Sequence, residues 1–114
     1  MEQYKQQATI FKALMHPARL AILDILRVDE ACVCHMEALL GYRQAYISQH
    51  LAVLREAGLV QDRRDGWNVY YQVTGPDIFA LLDTSATLAG ISISRPRVAP
   101  PAQNCPCPKC NCGS

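Results

Sequence analysis

The chain has 114 residues, enough for one compact domain and too few for two ordinary ones. Half of the residues are apolar and 18% are charged, which excludes wholesale disorder, and a net charge of only +1 excludes a monomer that grips nucleic acid by bulk attraction. No apolar run approaches the ~20 residues of a membrane span, and the start Met1-Glu-Gln-Tyr-Lys-Gln-Gln lacks a secretory build, so a cytoplasmic protein is expected.

Residues 3–14 place Tyr4, Ala8, Phe11 and Met15 at helical spacing, with Lys5, Gln7 and Lys12 between them; the pattern predicts an amphipathic helix. His16-Pro17 breaks it, His16 as a helix cap and Pro17 as the first residue of a second helix carrying Leu20, Ile22, Leu23, Ile25 and Leu26. Asp29-Glu30-Ala31 reads as a loop into Cys32-Val-Cys34. A short third helix covers about 35–40 and stops at Gly41, a suitable left-handed cap. A fourth spans about 44–57, burying Ile47, Leu51 and Leu54 and ending at Gly58. Leu59 to Arg64 reads as a strand, and Asp65-Gly66 signals a type I′ hairpin turn. In the return strand, Trp67, Val69, Tyr71 and Val73 share one face. Gly75-Pro76 opens a fifth helix that ends near Gly90.

The expected fold is mainly α with a β-hairpin wing, in two parts: a winged helix-turn-helix domain over 1–91, and a Pro-rich linker with a Cys-rich tail over 92–114. Of six cysteines, Cys32 and Cys34 lie inside the domain, while Cys105, Cys107, Cys110 and Cys112 crowd the last ten residues. A secreted disulfide scaffold spreads its cysteines through the fold; close-set thiols in a reducing compartment are better read as ligands for soft metals.

Residues 41–60 join a glycine-stopped helix, a tight turn and a second helix whose start exposes short polar residues. Such a helix fits the major groove of B-DNA. Gln44, Ser48 and Gln49 can donate and accept at base edges, and Tyr46 can stack or touch phosphate. Arg43 sits at the turn, and Arg63 and Arg64 in the hairpin suit flanking phosphates or a minor groove. Charge stays balanced along the chain, so grip on DNA must come from local placement doubled in a dimer.

Phe11-Lys-Ala-Leu-Met-His-Pro-Ala-Arg-Leu-Ala-Ile-Leu23, Cys32-Val-Cys34, Ile47-Ser-Gln-His-Leu-Ala-Val-Leu-Arg-Glu-Ala-Gly-Leu-Val60 and the hairpin from Asp62 to Tyr71 together resemble the ArsR/SmtB family of metal-responsive winged-helix repressors. The likeness covers about residues 8–90. It implies a homodimer paired through first and last helices, two recognition helices on palindromic operator DNA, and repression relieved when metal binds. Arg43 and Ala45 stand where the family commonly has small hydroxyl residues, and Tyr46 is bulky there, departures that bear on the operator sequence. The family's histidine at the place of His50 has no metal role. His35, beside Cys34, is an outside candidate ligand.

Two cysteines at i and i+2 point the same way in extended backbone and diverge on a helix. At the start of the third helix, an ion and an intact first turn therefore compete, which makes a switch. Two sulfurs do not complete a soft ion's shell. The C-x-C and C-x2-C spacings of Cys105, Cys107, Cys110 and Cys112 suit a shared ion, and a linker over 91–104 spans ~20 Å on average, so the tail can reach Cys32 and Cys34. The resemblance favours arsenite or antimonite, As(III)/Sb(III), over cadmium or lead, Cd(II)/Pb(II), and these over zinc, Zn(II). Zinc-sensing relatives carry histidine on the closing helix, where residues 77–90 have none, and cadmium or lead sensors add cysteines at the N-terminus, which residues 1–31 lack. Two alternatives stand beside the ion-released repressor: a repressor whose thiols sense oxidants, and a metal scavenger or chaperone acting through the tail. No catalytic set stands out, so no enzyme is expected.

Overall fold

The computed structural model describes residues 1–91; the expected linker and Cys-rich tail over 92–114, with Cys105, Cys107, Cys110 and Cys112, lie outside the described residues. Five helices and three strands follow in the order α1 (Glu2–Leu14), α2 (Pro17–Val28), β1 (Ala31–Cys32), α3 (Val33–Leu40), α4 (Gln44–Glu56), β2 (Val60–Asp65), β3 (Asn68–Val73) and α5 (Asp77–Leu88). No helix among the described residues is long and apolar enough to cross a membrane.

Local chemistry sets most boundaries. Pro17 occupies the first turn of α2, where its missing N–H costs nothing. His16 caps that helix, its Nδ1 accepting from the Ala18 N–H at 3.0 Å. Gly41 closes α3 with φ 76°, and its N–H donates to the Glu37 carbonyl at 2.8 Å. The core gathers one stripe from each principal helix: Ile22, Leu23 and Leu26 from α2, Met36 from α3, Ile47, Leu51 and Leu54 from α4, joined by Val60 and Ile78. Each of these side chains contributes about 1.5–3 kcal/mol on burial.

The sheet is antiparallel in the order β1-β3-β2. The structure adds β1 where the sequence suggests a loop; Ala31 pairs with Tyr71 and Cys32 with Tyr70. A two-residue strand shows no alternation of its own and exists only because β3 lies alongside it. The hairpin stands where Asp65-Gly66 signals it, but Asp65 pairs with Asn68, so the loop residues are Gly66, at φ 63°, and Trp67. Trp67 therefore leaves the return strand. In β3 the buried residue is Tyr70, while Val69, Tyr71 and Val73 are half-buried. These elements form a winged helix-turn-helix: α3, turn and α4, followed by the β2–β3 wing.

Candidate nucleic-acid interface and sensing pair

Helix α4 turns one face inward and the other to solvent. Ile47, His50, Leu51 and Leu54, at i, i+3, i+4 and i+7, are its buried residues. Gln44, Tyr46, Ser48 and Gln49 are exposed near its N-terminal end, beside the exposed Arg43 at the N-cap. All five of these expected DNA-contacting residues are thus exposed at the start of α4, as Arg64 is on the wing, although Tyr46 lies round the helix from Gln44 and Ser48, beside His16 and His50.

Arg63 has another engagement. Its Nε donates to Glu30 Oε2 at 3.2 Å, and its guanidinium carbon lies 5.0 Å from the Tyr70 ring centroid. Glu30 holds the Arg63 guanidinium still more firmly in its charged form. Arg63 is exposed, yet its charge is already partnered on the protein.

His50 is 7% exposed and structural in its contacts. Arg19 Nε donates to its Nδ1 at 3.1 Å, which places the proton of the neutral ring on Nε2. That atom is buried with no hydrogen-bond partner among the described residues. The ring packs against His16, with centroids 4.3 Å apart, and edge-to-face against Tyr46 at 4.5 Å. Burial, with the neighbouring charges of His16 and Arg19, lowers the His50 pKa below the usual histidine value. Through this stack the start of α2 fixes the roll of α4.

Helix α3 is tied to α4 by an acidic side chain that sequence reading passes over. Arg43, the N-cap of α4, makes no side-chain cap bond. Glu37 of α3 takes that role, its Oε2 accepting from the Gln44 N–H at 3.1 Å. A carboxylate there also faces the positive end of the helix dipole. A move of α3 is consequently felt at the first turn of α4.

Cys32 and Cys34 stand at the opposite end of α3. Cys32 keeps extended geometry (φ −88°, ψ 165°) and caps the helix, its Sγ accepting from the His35 N–H at 3.4 Å. Cys34 lies in the first helical turn. The two sulfurs are 2.7 Å apart, longer than a sulfur–sulfur bond of about 2.05 Å but far inside ordinary contact. Cys32 is 5% exposed and Cys34 half-buried. His35 is half-buried beside them, and burial lowers its pKa. The described residues hold no group of three or more His, Cys, Asp or Glu side chains placed for a metal ion. Within them the donor set is thus two sulfurs, soft ligands suited to a thiophilic ion and short of a full shell.

Comparison with known proteins agrees with this architecture. Residues 16–62 match the family model described as bacterial regulatory protein, arsR family. A curated relative in Mycobacterium tuberculosis, the uncharacterized HTH-type transcriptional regulator Rv0081, is 42% identical over 80 residues, covering 69% of this chain and 70% of the relative. The arsenic resistance transcriptional regulator ArsR1 of Pseudomonas putida is 47% identical over 65 residues, 56% of this chain and 51% of the relative. Among solved structures, the homodimeric winged helix-turn-helix DNA-binding domain of Mb0332 from Mycobacterium bovis superposes with a TM-score of 0.72 at 32% identity, covering 78% of this chain and 82% of that one.

Proposed function

We propose, from the fact that this chain belongs to the ArsR family of bacterial regulatory proteins, that it represses transcription as a homodimer on palindromic operator DNA and leaves that DNA when a soft thiophilic ion binds its cysteine thiolates. The single observation that carries the ion reading is that Cys32 Sγ and Cys34 Sγ lie side by side at the threshold of the helix-turn-helix.

The dimer reading is supported by apolar surface on the two outer helices. Tyr4 and Phe11 of α1, Leu88 at the end of α5 and Ile91 just beyond it are exposed, the last two at 86% and 62%. Pairing these faces would bury that surface and double the number of basic residues facing DNA, which a single chain of near-zero net charge requires. Two recognition helices then meet successive major grooves, about 34 Å apart.

In the reduced protein, Cys32 and Cys34 would supply two sulfurs, and Cys105, Cys107, Cys110 and Cys112 are the remaining thiols of the chain. Such an ion demands thiolate donors in its shell, and that demand is all it contributes. The protein does the rest. A Cys32 thiolate turned toward an ion no longer accepts from the His35 N–H, so the first turn of α3 loses its cap. Glu37, carried on α3, shifts from the Gln44 N–H, and α4 loses its aim. A coupling of about 1–3 kcal/mol gives a 5–150-fold loss of DNA affinity. Arsenite or antimonite is favoured, cadmium or lead next, zinc last.

The test is a titration of reduced protein, bound to a labelled DNA fragment from upstream of its own coding region, with arsenite, antimonite, cadmium, lead and zinc. Anisotropy reports release and sulfur-to-metal absorption reports stoichiometry. Release by a thiophilic ion at stoichiometric concentration is expected; DNA binding indifferent to all five contradicts the ion reading. The adjacent sulfurs of Cys32 and Cys34 also suit a second reading, thiol oxidation as the signal. Release by peroxide where every ion fails would select it.

A further inference from the structure

Trp67 is the only tryptophan of the chain and is 101% exposed at the tip of the wing. Tryptophan is ordinarily among the more buried side chains, and its indole is a large apolar surface to leave in water. The turn does not explain it. Two-residue hairpin loops favour glycine, asparagine, aspartate or serine, and at the second loop position a bulky aromatic ring brings no advantage. Packing does not explain it either, since a side chain at full exposure rests on nothing.

Its surroundings indicate what it meets. The six-residue strands β2 and β3 carry the tip roughly 20 Å from the base of the hairpin, at ~3.3 Å per residue. Exposed Arg64 lies three residues before it, paired in register with Val69, and Arg63 is held by Glu30. The wing therefore ends in a fully exposed aromatic ring, with Asp65 at the turn and the cation of Arg64 one ladder pair behind it; a flat, stackable group is what such a ring can meet, with Arg64 left for a phosphate beyond it. Apolar side chains are used in this way on duplex DNA, wedged at base steps from the minor groove while basic neighbours hold the phosphates.

Resting on the DNA-binding reading above, we propose that Trp67 is a specificity-determining contact: its indole enters the minor groove flanking each recognition helix and stacks against a base step. The step it selects is a pyrimidine–purine step, TA or CA/TG, because these unstack most easily. Trp67 reads deformability at positions α4 does not touch.

The experiment uses the full-length reduced protein and a DNA fragment from upstream of its own coding region. All tryptophan emission comes from the wing tip. Binding of wild-type protein should quench that emission and shield it from acrylamide. Trp67→Ala should weaken binding by roughly 5- to 100-fold, the range expected for one stacked base, while Trp67→Phe retains most of it. Replacing the flanking pyrimidine–purine steps should weaken wild type and leave Trp67→Ala unaffected. Circular dichroism of both variants checks the fold, and the step-replacement series on wild-type protein needs no variant at all. Tight DNA binding with unchanged emission and no dependence on flanking steps overturns the proposal and leaves the repressor reading standing. An emission change that follows protein concentration without DNA overturns it in favour of contact with a second copy. Failure of the wild-type protein to bind any DNA overturns the repressor reading and this contact with it.

Discussion

Glu30 and Arg63 lie 33 positions apart, and Arg63 Nε donates to Glu30 Oε2 at 3.2 Å. Glu30 stands two residues before Cys32, and Tyr70, under the same guanidinium, is the register partner of Cys32 in the sheet. The sulfur pair and the wing are therefore parts of one small assembly. The Glu30–Arg63 ion pair joins the approach to β1 with the wing, as Glu37 joins α3 with the start of α4.

Replacing Glu30 with Gln frees the Arg63 charge for phosphate. Operator affinity at low salt should rise, and the slope of log affinity against log salt should steepen by about one ion for each wing engaged. Anisotropy titrations from low to moderate salt check this; a slope equal to wild type would mean that Arg63 stays turned from DNA.

Glu37→Ala removes the cap of α4. A lost N-cap costs about 0.5–2 kcal/mol of stability, so the urea midpoint should fall modestly. DNA affinity should fall further than stability alone accounts for, because the first turn of α4 carries Gln44. Glu37→Gln keeps an acceptor oxygen and should restore most of both.

Gln49→Ala should relax discrimination at one base pair of each half-site by about 1–3 kcal/mol. Arg64→Ala should weaken all sequences alike, as loss of a phosphate contact does. Competition by operators with single base-pair changes separates the two patterns.

His50 titrates below the usual histidine value because it is buried and faces His16 and Arg19. Between its folded pKa and the unfolded value near 6.5, the unfolded chain holds more protons, so stability rises with pH across that window and is lost on acidification through it. The thermal midpoint should fall from pH 7.5 to pH 5.5. In His50→Gln, which keeps an acceptor for Arg19, the fall should be smaller; an identical fall would place the titration elsewhere.

The helices were legible because their signals are local: Pro17 after a capping His16, Gly41 with its left-handed turn, the i, i+3, i+4 stripe of Ile47 and Leu51. The exposed face of α4 follows from the same periodicity. Strand β1 was not legible, since two residues carry no pattern and its partner lies some 40 positions on. The turn signal at Asp65-Gly66 marked the hairpin but misplaced its loop by one residue, because strand register, not the dipeptide alone, decides which residues are left unpaired. The contacts of Glu30 and Glu37 and the loop position of Trp67 were not legible either. Two acidic side chains in polar stretches look solvated until their partners Arg63 and the Gln44 N–H are brought to them, and Trp67 looks like a strand residue until the register expels it.

Release through the sulfur pair is tested most directly in the double variant Cys32→Ser/Cys34→Ser. Serine is itself a good N-cap, so α3 keeps its start while both sulfurs at this site are gone. Operator affinity of the reduced variant, measured by anisotropy, should match wild type, and the ion-induced loss of affinity should shrink from about 5–150-fold to under about twofold. Release at the same ion concentration and to the same extent as wild type would contradict the assignment of Cys32 and Cys34 as the switch.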